Sequence, residues 1–312
     1  MSAARRVAVL KGGRSLERQV SLVSGGRVED ALQRLGHAPT GVDVGHDLIE
    51  RLRAIEPDVA FVALHGEGGE DGAVQELLEA LGIPYTGPPP AACAISRDKA
   101  LSKHLLRDAG IATPDFLVLS ETTFKELGAA AALPDVGDRL GFPLVVKPAR
   151  GGSAMGVRFA GATEELPGAL VAAFSYDDKV VFERHVRGRE LAISVLGGEA
   201  LPIVEAVPHE SDVYDFEARY TIGRTTFHCP AEMDAAATAA ASDVAVRVCE
   251  LLGLSACARV DLLLDDDGTP WVIEANAIPG LTETSLLPQA AEAAGIGFDQ
   301  LVARILDLAH TD

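Results

Sequence analysis

The sequence predicts a mixed α/β (α+β) protein of more than one unit, and three stretches carry that expectation. Near the N-terminus a short apolar strand runs into a glycine turn and a helix, and the arrangement comes twice. In the middle, a strand ends in a lysine, a glycine-rich loop follows and a second strand returns. Towards the C-terminus, two strands joined by a tight turn place polar and apolar residues at alternate positions.

The totals fit this outline. A chain of 312 residues, 48% hydrophobic and 23% charged, is globular in composition and long enough for about two or three domains. Lys and Arg total 27 against 46 Asp and Glu, a formal charge of −19, which argues against a nucleic-acid partner. It does not forbid an anionic small molecule, because a few lysines can dominate one cleft. Cys93, Cys229, Cys249 and Cys257 show no CxxC spacing, so neither a zinc knuckle nor a disulfide framework is expected, and a reduced cytoplasmic setting is. The apolar run at the start is too short for a signal peptide, and none approaches the roughly 20 residues of a membrane span.

Arg6–Leu10 is the first strand, leading into Lys11-Gly12-Gly13. Val20, Val23, Val28, Leu32 and Leu35 then recur at helical spacing. Asp58–Leu64 is a second strand, and the loop from His65 to Gly72 leads to a helix over Val74–Leu81. Strand, glycine turn and helix in repetition is doubly wound organisation, whose ligands sit at the carboxyl ends of the strands. Glu17 lies just after the first turn; His65 and Glu70 lie on the second. Pro88 to Pro90 suggest a linker. A helix near Asp98–Ala109 carries Lys99. Within Phe142–Gly156, Lys147 precedes Gly151 and Gly152, and Val157–Phe159 reads as a strand. Glycines let backbone N–H groups approach phosphates. A Walker loop has its lysine after the glycines and a helix next, so this is a different cradle, a flap on a hairpin; alone, the stretch also fits a plain surface hairpin. Val180–Glu183, Glu190–Leu196 and Ala200–Val207 read as strands. His209 to Thr226 lacks apolar periodicity and has the length of a lid. Asp234–Leu252 is an alanine-rich helix, and Phe298–Leu308 an amphipathic one.

The C-terminal hairpin, with its turn at Asp266, Asp267 and Gly268, is the most informative stretch. Alternation puts Arg259 and Asp261 on one face, opposite Val260, Leu262 and Leu264. On the return strand Glu274 and Asn276 share a face, with Trp271, Ile273 and Ala275 on the other. If the polar faces meet, two carboxylates and an amide converge beside an arginine. Oxygen ligands of this kind suit Mg²⁺, which takes its remaining ligands from water and substrate phosphates. A half-exposed hairpin accounts for the same pattern.

Taken in order, GGRSLERQVSLVSG, LHGEGGEDG, VKPARGGSAMG, YDFEARY, ARVDLLL and EANAIPGLTETSLLP closely resemble the D-alanine–D-alanine ligases of the ATP-grasp superfamily, from the first strand to the final helix. The resemblance implies a three-domain ATP-grasp architecture: an N-terminal doubly wound domain (1–90), a central domain with the flap (91–180) and a C-terminal catalytic domain with the lid (181–312). It implies that ATP phosphorylates one D-alanine carboxylate and that the amine of a second D-alanine displaces phosphate, for peptidoglycan precursors. Lys99, Lys147 and Arg219 would contact ATP phosphates, Arg219 standing where the family often has lysine. Glu183 and the Val186 backbone would hold the adenine, and Glu190 the ribose. Asp261, Glu274 and Asn276 would bind two Mg²⁺ (or Mn²⁺) ions. Arg259 and the Gly280 N–H would stabilise the acyl-transfer transition state. Glu17 would pair with the first D-alanine ammonium, His65 would lie near the carboxylates, and Ser285 with the Leu286 N–H would take the second carboxylate. Ser153 and Tyr220 would tie flap and lid to Glu17. A homodimer through the N-terminal domain is implied as well. The sequence departs from the family pattern in three places: Ala154 follows Ser153 where a second serine is common, Ala277 and Ile278 follow Asn276 where Thr or Ser is usual, and Leu281 replaces a frequent methionine. The acceptor stays open between D-alanine and D-lactate or D-serine; Tyr220 resembles the amine-using members. A nucleotide-binding regulator without ligase activity would lack the arginine or a metal ligand, and all are present.

Glu274→Gln removes a metal charge and no packing. Turnover at fixed Mg²⁺ is expected to fall by orders of magnitude with the circular dichroism spectrum unchanged; near-normal turnover at modest Mg²⁺ contradicts the metal assignment.

Overall fold

A computed structural model describes residues 4–208 and 225–311. The lid expected over His209 to Thr226, with Tyr214, Arg219 and Tyr220, lies almost wholly outside them.

Strands β1 (Arg6–Lys11), β2 (Ala38–Asp43) and β3 (Val59–Val62) form a parallel sheet in the order β2-β1-β3. Helices α1 (Arg18–Arg34) and α2 (Leu48–Ile55) make the crossovers. Val7, Ala8, Val9 and Leu10 are all fully buried, Ala8 and Leu10 in one core and Val7 and Val9 in another. Burial on both faces is why this strand reads as a continuous apolar run. Helix α1 differs from its expected stripe. Its buried face is Ser21, Ser24, Gly25, Val28, Ala31 and Leu32, whereas Val20 and Val23 turn to a cleft.

Helix α3 (Ala73–Leu81) follows the second glycine loop. The three prolines are not an extended linker: Pro89 caps α4 (Pro90–Arg97) and Pro90 takes its first turn, where a missing N–H costs nothing. Asp98 then caps α5 (Lys99–Asp108), accepting the N–H groups of Ala100 and Leu101.

The second sheet is antiparallel, in the order β4-β7-β5-β6, from β4 (Phe116–Ser120), β5 (Leu144–Pro148), β6 (Arg158–Ala160) and β7 (Lys179–Arg184). Helices α6 (Glu121–Leu127), α7 (Leu133–Leu140) and α8 (Leu166–Phe174) belong to this region. Val180 and Phe182 face one core, while Val181 faces a second, with Ala100 of α5 and Phe116. The boundary expected at 180/181 falls inside β7, which pairs with both β4 and β5.

The third sheet has the order β11-β10-β8-β12-β13, with β9 on β8. Its strands are β8 (Arg189–Leu196), β9 (Glu199–Ala200), β10 (Val204–Pro208), β11 (Thr225–His228), β12 (Cys257–Leu264) and β13 (Pro270–Asn276). The strand expected over Ala200–Val207 is thus divided between β9 and β10. Helix α9 (Ala235–Leu252) buries Ala241, Ala245, Val248 and Cys249, and α10 (Leu286–Ala293) and α11 (Phe298–Asp307) close the chain. Leu191, Ile193, Val260 and Leu262 of this sheet share a core with Ala8 and Leu10 of the first, so the N- and C-terminal regions are packed as one body.

One irregularity sets the site. Asp261 lies opposite Glu274, but Leu262 lies opposite Val272, so Ile273 is an extra residue in β13. A bulge re-aims side chains. Val272 and Ala275 both enter the core, while Ile273 and Glu274 both line the cleft. The expected grouping of Trp271, Ile273 and Ala275 on one face is therefore corrected. Val272→Ala is expected to cost about 2 kcal/mol in chemical denaturation, and Ile273→Ala under about 1 kcal/mol; the opposite ranking contradicts the bulge.

Candidate active site

All the sequence-predicted site residues that lie among the described ones line one cleft of about 1160 Å³. Glu17 and His65 reach it from the first sheet's loops, Lys99 from α5, and Lys147, Ser153 and Glu183 from the second sheet and its flap. Val186 comes from the connection to β8, and Glu190, Arg259, Asp261, Glu274 and Asn276 from the third sheet. Gly280, Ser285 and Leu286 come from the segment entering α10. Arg219 and Tyr220 are outside the described residues.

The register places Asp261 directly opposite Glu274 and Arg259 opposite Asn276. Opposed like charges on a ladder repel, and cations offset them here. Arg259 Nε and Nη2 donate to the two Asp261 carboxylate oxygens at 2.7 and 2.9 Å. Lys99 Nζ lies 3.2 Å from Glu274 Oε2 and donates to the Gly151 carbonyl at 2.7 Å. Asn276 Oδ1 accepts the Ile278 N–H at 3.0 Å. Among the described residues no group of three or more His, Cys, Asp or Glu forms a complete metal cage. Two carboxylates and an amide on adjacent strands fit a hard cation that takes its other ligands from water and phosphate.

The opposite wall is built on a buried charge cluster. Glu183 is 2% exposed, with Lys147 Nζ at 2.7 Å and Lys103 Nζ at 3.1 Å. Lys103 is fully buried; it also donates to Thr113 Oγ1, which donates to the Val272 carbonyl at 2.8 Å. Burial raises Glu183, but the charges of Lys103 and Lys147 outweigh it and hold its carboxyl below the usual range. Burial is the larger influence on Lys103 and lowers its ammonium to about 8. Lys103 escaped the sequence reading; its one signal is a position four residues after Lys99, hence the same helix face.

The flap lies against Glu17. Ser153 Oγ donates to Glu17 Oε1 at 2.5 Å. A Cβ on Gly152 would sit 2.9 Å from both Glu17 oxygens, so any side chain there would displace the Glu17 carboxylate. Met155 N–H closes the turn onto the Gly152 carbonyl at 3.2 Å. Its central residues, Ser153 and Ala154, have φ of 57° and 54°, a left-handed geometry costing about 1–2 kcal/mol per non-glycine residue. Burial first, then the Glu70 carboxylate, push Glu17 above the ordinary carboxyl value, against Ser153, His65 and Arg97. Glu70 does not cap α3; it lies 3.6 Å from His65 Nδ1 and 3.4 Å from Arg97 Nη1. Arg150 is held by Asp177 and Asp178 at 2.6 and 2.5 Å.

Two residues to which the sequence reading gave no role, Ser24 within the first motif and Arg27 just after it, hold the segment that follows Gly280. Ser24 Oγ accepts the Leu281 N–H at 3.1 Å, and Arg27 donates to the Leu281 carbonyl.

Glu183→Gln leaves two ammonium groups facing each other without a counter-charge, a loss of about 3–5 kcal/mol for a buried pair. A lysine depressed to about 8 is released earlier by the fold than by the unfolded chain. Its stabilising contribution is full above the ordinary 10.5 and is lost as pH falls through about 8. The deficit of Glu183→Gln in denaturation at pH 7 is therefore expected to shrink at pH 9, where Lys103 is mostly neutral; an equal or larger deficit there contradicts the pairing.

The D-ala D-ala ligase C-terminus model matches residues 105–307, and the D-ala D-ala ligase N-terminus model matches residues 43–88. The D-alanine–D-alanine ligase of Gloeobacter violaceus is 44% identical over 308 residues, 97% of this chain and 98% of that one. That of Syntrophotalea carbinolica is 44% identical over 302 residues, 97% of this chain and 95% of the other. The crystal structure of D-alanine–D-alanine ligase from Bacillus anthracis complexed with ATP superposes with a TM-score of 0.83 at 36% identity, covering 98% of this chain and 97% of that one. With that fold, that cleft and likeness along nearly its whole length, the chain belongs to the D-alanine–D-alanine ligase family.

Proposed function

We propose that this protein joins two D-alanine molecules into D-alanyl-D-alanine at the expense of ATP, for peptidoglycan precursors. What supports the reading is full-length family likeness together with one cleft that gathers lysines, opposed carboxylates and an arginine from different strands.

A carboxylate is a poor electrophile. The D-alanine carboxylate oxygen attacks the γ-phosphorus, ADP leaves, and the resulting acyl phosphate carries a good leaving group. The free amine of the second D-alanine attacks the acyl carbon; phosphate departs and the amide forms. In this proposal Lys99, Lys147 and Arg219 bind the phosphates, and Glu183, the Val186 backbone and Glu190 hold the nucleoside. Asp261, Glu274 and Asn276 are the residues that would hold two Mg²⁺ or Mn²⁺ ions, whose charge, when bound, neutralises the polyphosphate. Arg259 and the Gly280 N–H face the oxyanion of acyl transfer. Glu17 anchors the first ammonium, an arrangement that suits a carboxylate whose proton affinity is raised in the cleft until a cation arrives. His65 lies near the amino-acid carboxylates. Ser285 and the Leu286 N–H, at the start of α10, take the second carboxylate. Ser153 and Tyr220 tie flap and lid to Glu17, keeping water from the acyl phosphate.

The three-domain division is retained as part of the proposal, with the second break moved past β7. A homodimer through the N-terminal domain and a cytoplasmic location complete it. No described helix is long and apolar enough to cross a membrane.

Incubation with ATP, Mg²⁺ and a panel of D- and L-amino acids, read by mass spectrometry and chiral analysis, is expected to give D-alanyl-D-alanine with one ADP and one phosphate per product. Dominant ester with D-lactate, or no amino-acid-dependent phosphate release, overturns the reading.

A further inference from the structure

We propose that Ser24 and Arg27 are positioning residues that fix the Gly280–Ser285 segment relative to Glu17 and thereby set the acceptor subsite. The inference rests on the ligase reading and adds to it two residues with no role in the motifs.

Both clamp one residue of that segment, Leu281, through the peptide units on either side of it. Ser24 is fully buried, and its Oγ accepts the Leu281 N–H at 3.1 Å. Arg27 donates to the Leu281 carbonyl, and its guanidinium is itself held 4.1 Å over the Phe298 ring. The Leu281 side chain is 4% exposed, in a core with Leu286 and Leu287. The residue next to Gly280 is thus fixed at its N–H, its carbonyl and its side chain. From there the order passes on: the Thr282 N–H donates to Ser285 Oγ at 3.0 Å, and Thr282 Oγ1 lies 2.8 Å from the same hydroxyl.

Both clamping residues belong to the helix whose N-cap is Glu17. Seven residues of α-helix span about 10 Å, so α1 acts as a ruler with the donor-ammonium group at its start and the acceptor loop docked two turns on. Ser24 also ties the ruler to the carboxylate side of the cleft, since its Oγ lies 3.2 Å from His65 Nε2. A hydroxyl that already accepts the Leu281 N–H has its own proton left for His65 Nε2, which leaves the Nδ1 proton directed at Glu70, 3.6 Å away. One hydroxyl therefore orients both the acceptor loop and the histidine ring.

The test is Ser24→Ala, Ser24→Thr and Arg27→Met beside the unsubstituted protein, each with the two D-alanine saturation constants from phosphate release and the ATP dissociation constant from calorimetry. Losing one such hydrogen bond is expected to raise the acceptor constant about tenfold while the donor constant and ATP binding change less than about twofold. Ser24→Thr, which keeps the hydroxyl, is expected to restore most of the loss. Arg27→Met keeps apolar contact with Phe298 and carries the same expectation should Ser24→Ala fail to fold. Equal rises in both constants, no rise in the acceptor constant, or no rescue by threonine overturns the inference. Absence of phosphate release by the unsubstituted protein overturns the ligase reading beneath it and is told apart by that control.

Discussion

Two carboxylates that strand register forces to face each other organise this cleft. Asp261 and Glu274 cannot separate, because Val260 and Ala275, the next pair along the β12–β13 ladder, are both buried in the core. Alternation then leaves the acids no other side to occupy. The repulsion is met by Arg259, spread over both oxygens of Asp261, and by Lys99, beside Glu274. Those cations come from different elements, one from the strand itself and one from the first turn of α5. A pair of acids that needs positive charge, beside Lys99 and the Lys147 that precedes the flap, is a physical basis for binding a metal–nucleotide complex in a chain whose overall charge is −19.

The second wall repeats the theme with less water. Glu183 would not stay ionised at 2% exposure without Lys103 and Lys147. Lys103 in turn reaches through Thr113 to the Val272 carbonyl on the β12–β13 hairpin. The two walls are therefore connected by hydrogen bonds as well as by packing. The flap supplies the third contact: its left-handed residues Ser153 and Ala154 hold a conformation that the Ser153–Glu17 bond helps offset. The absence of a second serine at Ala154 leaves the turn itself intact.

What could be read from sequence follows from what each element must do locally. The β12–β13 hairpin was legible because β12 alternates along its length and its turn is marked by Asp267 and Gly268. The bulge at Ile273 was not, since one inserted residue leaves no compositional trace, and it changed which side chains face the cleft. Strand β2, Ala-Pro-Thr-Gly-Val-Asp, was missed because an edge strand need not alternate. The prolines looked like a linker because the first turn of a helix and an extended break both tolerate them. Val20 and Val23 looked like core because apolar spacing cannot tell a core from a cleft wall. Lys103 was passed over because a fully buried lysine is rare. Ser24 and Arg27 depend on a partner more than 250 residues away along the chain, a distance at which no local pattern carries information.

The account turns on where the metal would sit. Crystals grown with Mn²⁺ and a non-hydrolysable ATP analogue, measured at the manganese edge, locate the metal without reference to activity. The account predicts anomalous peaks within ligand distance of Asp261, Glu274 and Asn276, with the phosphates on the side of Lys99 and Lys147. Manganese bound elsewhere with these three side chains turned from it, or a nucleotide seated outside this cleft, contradicts it.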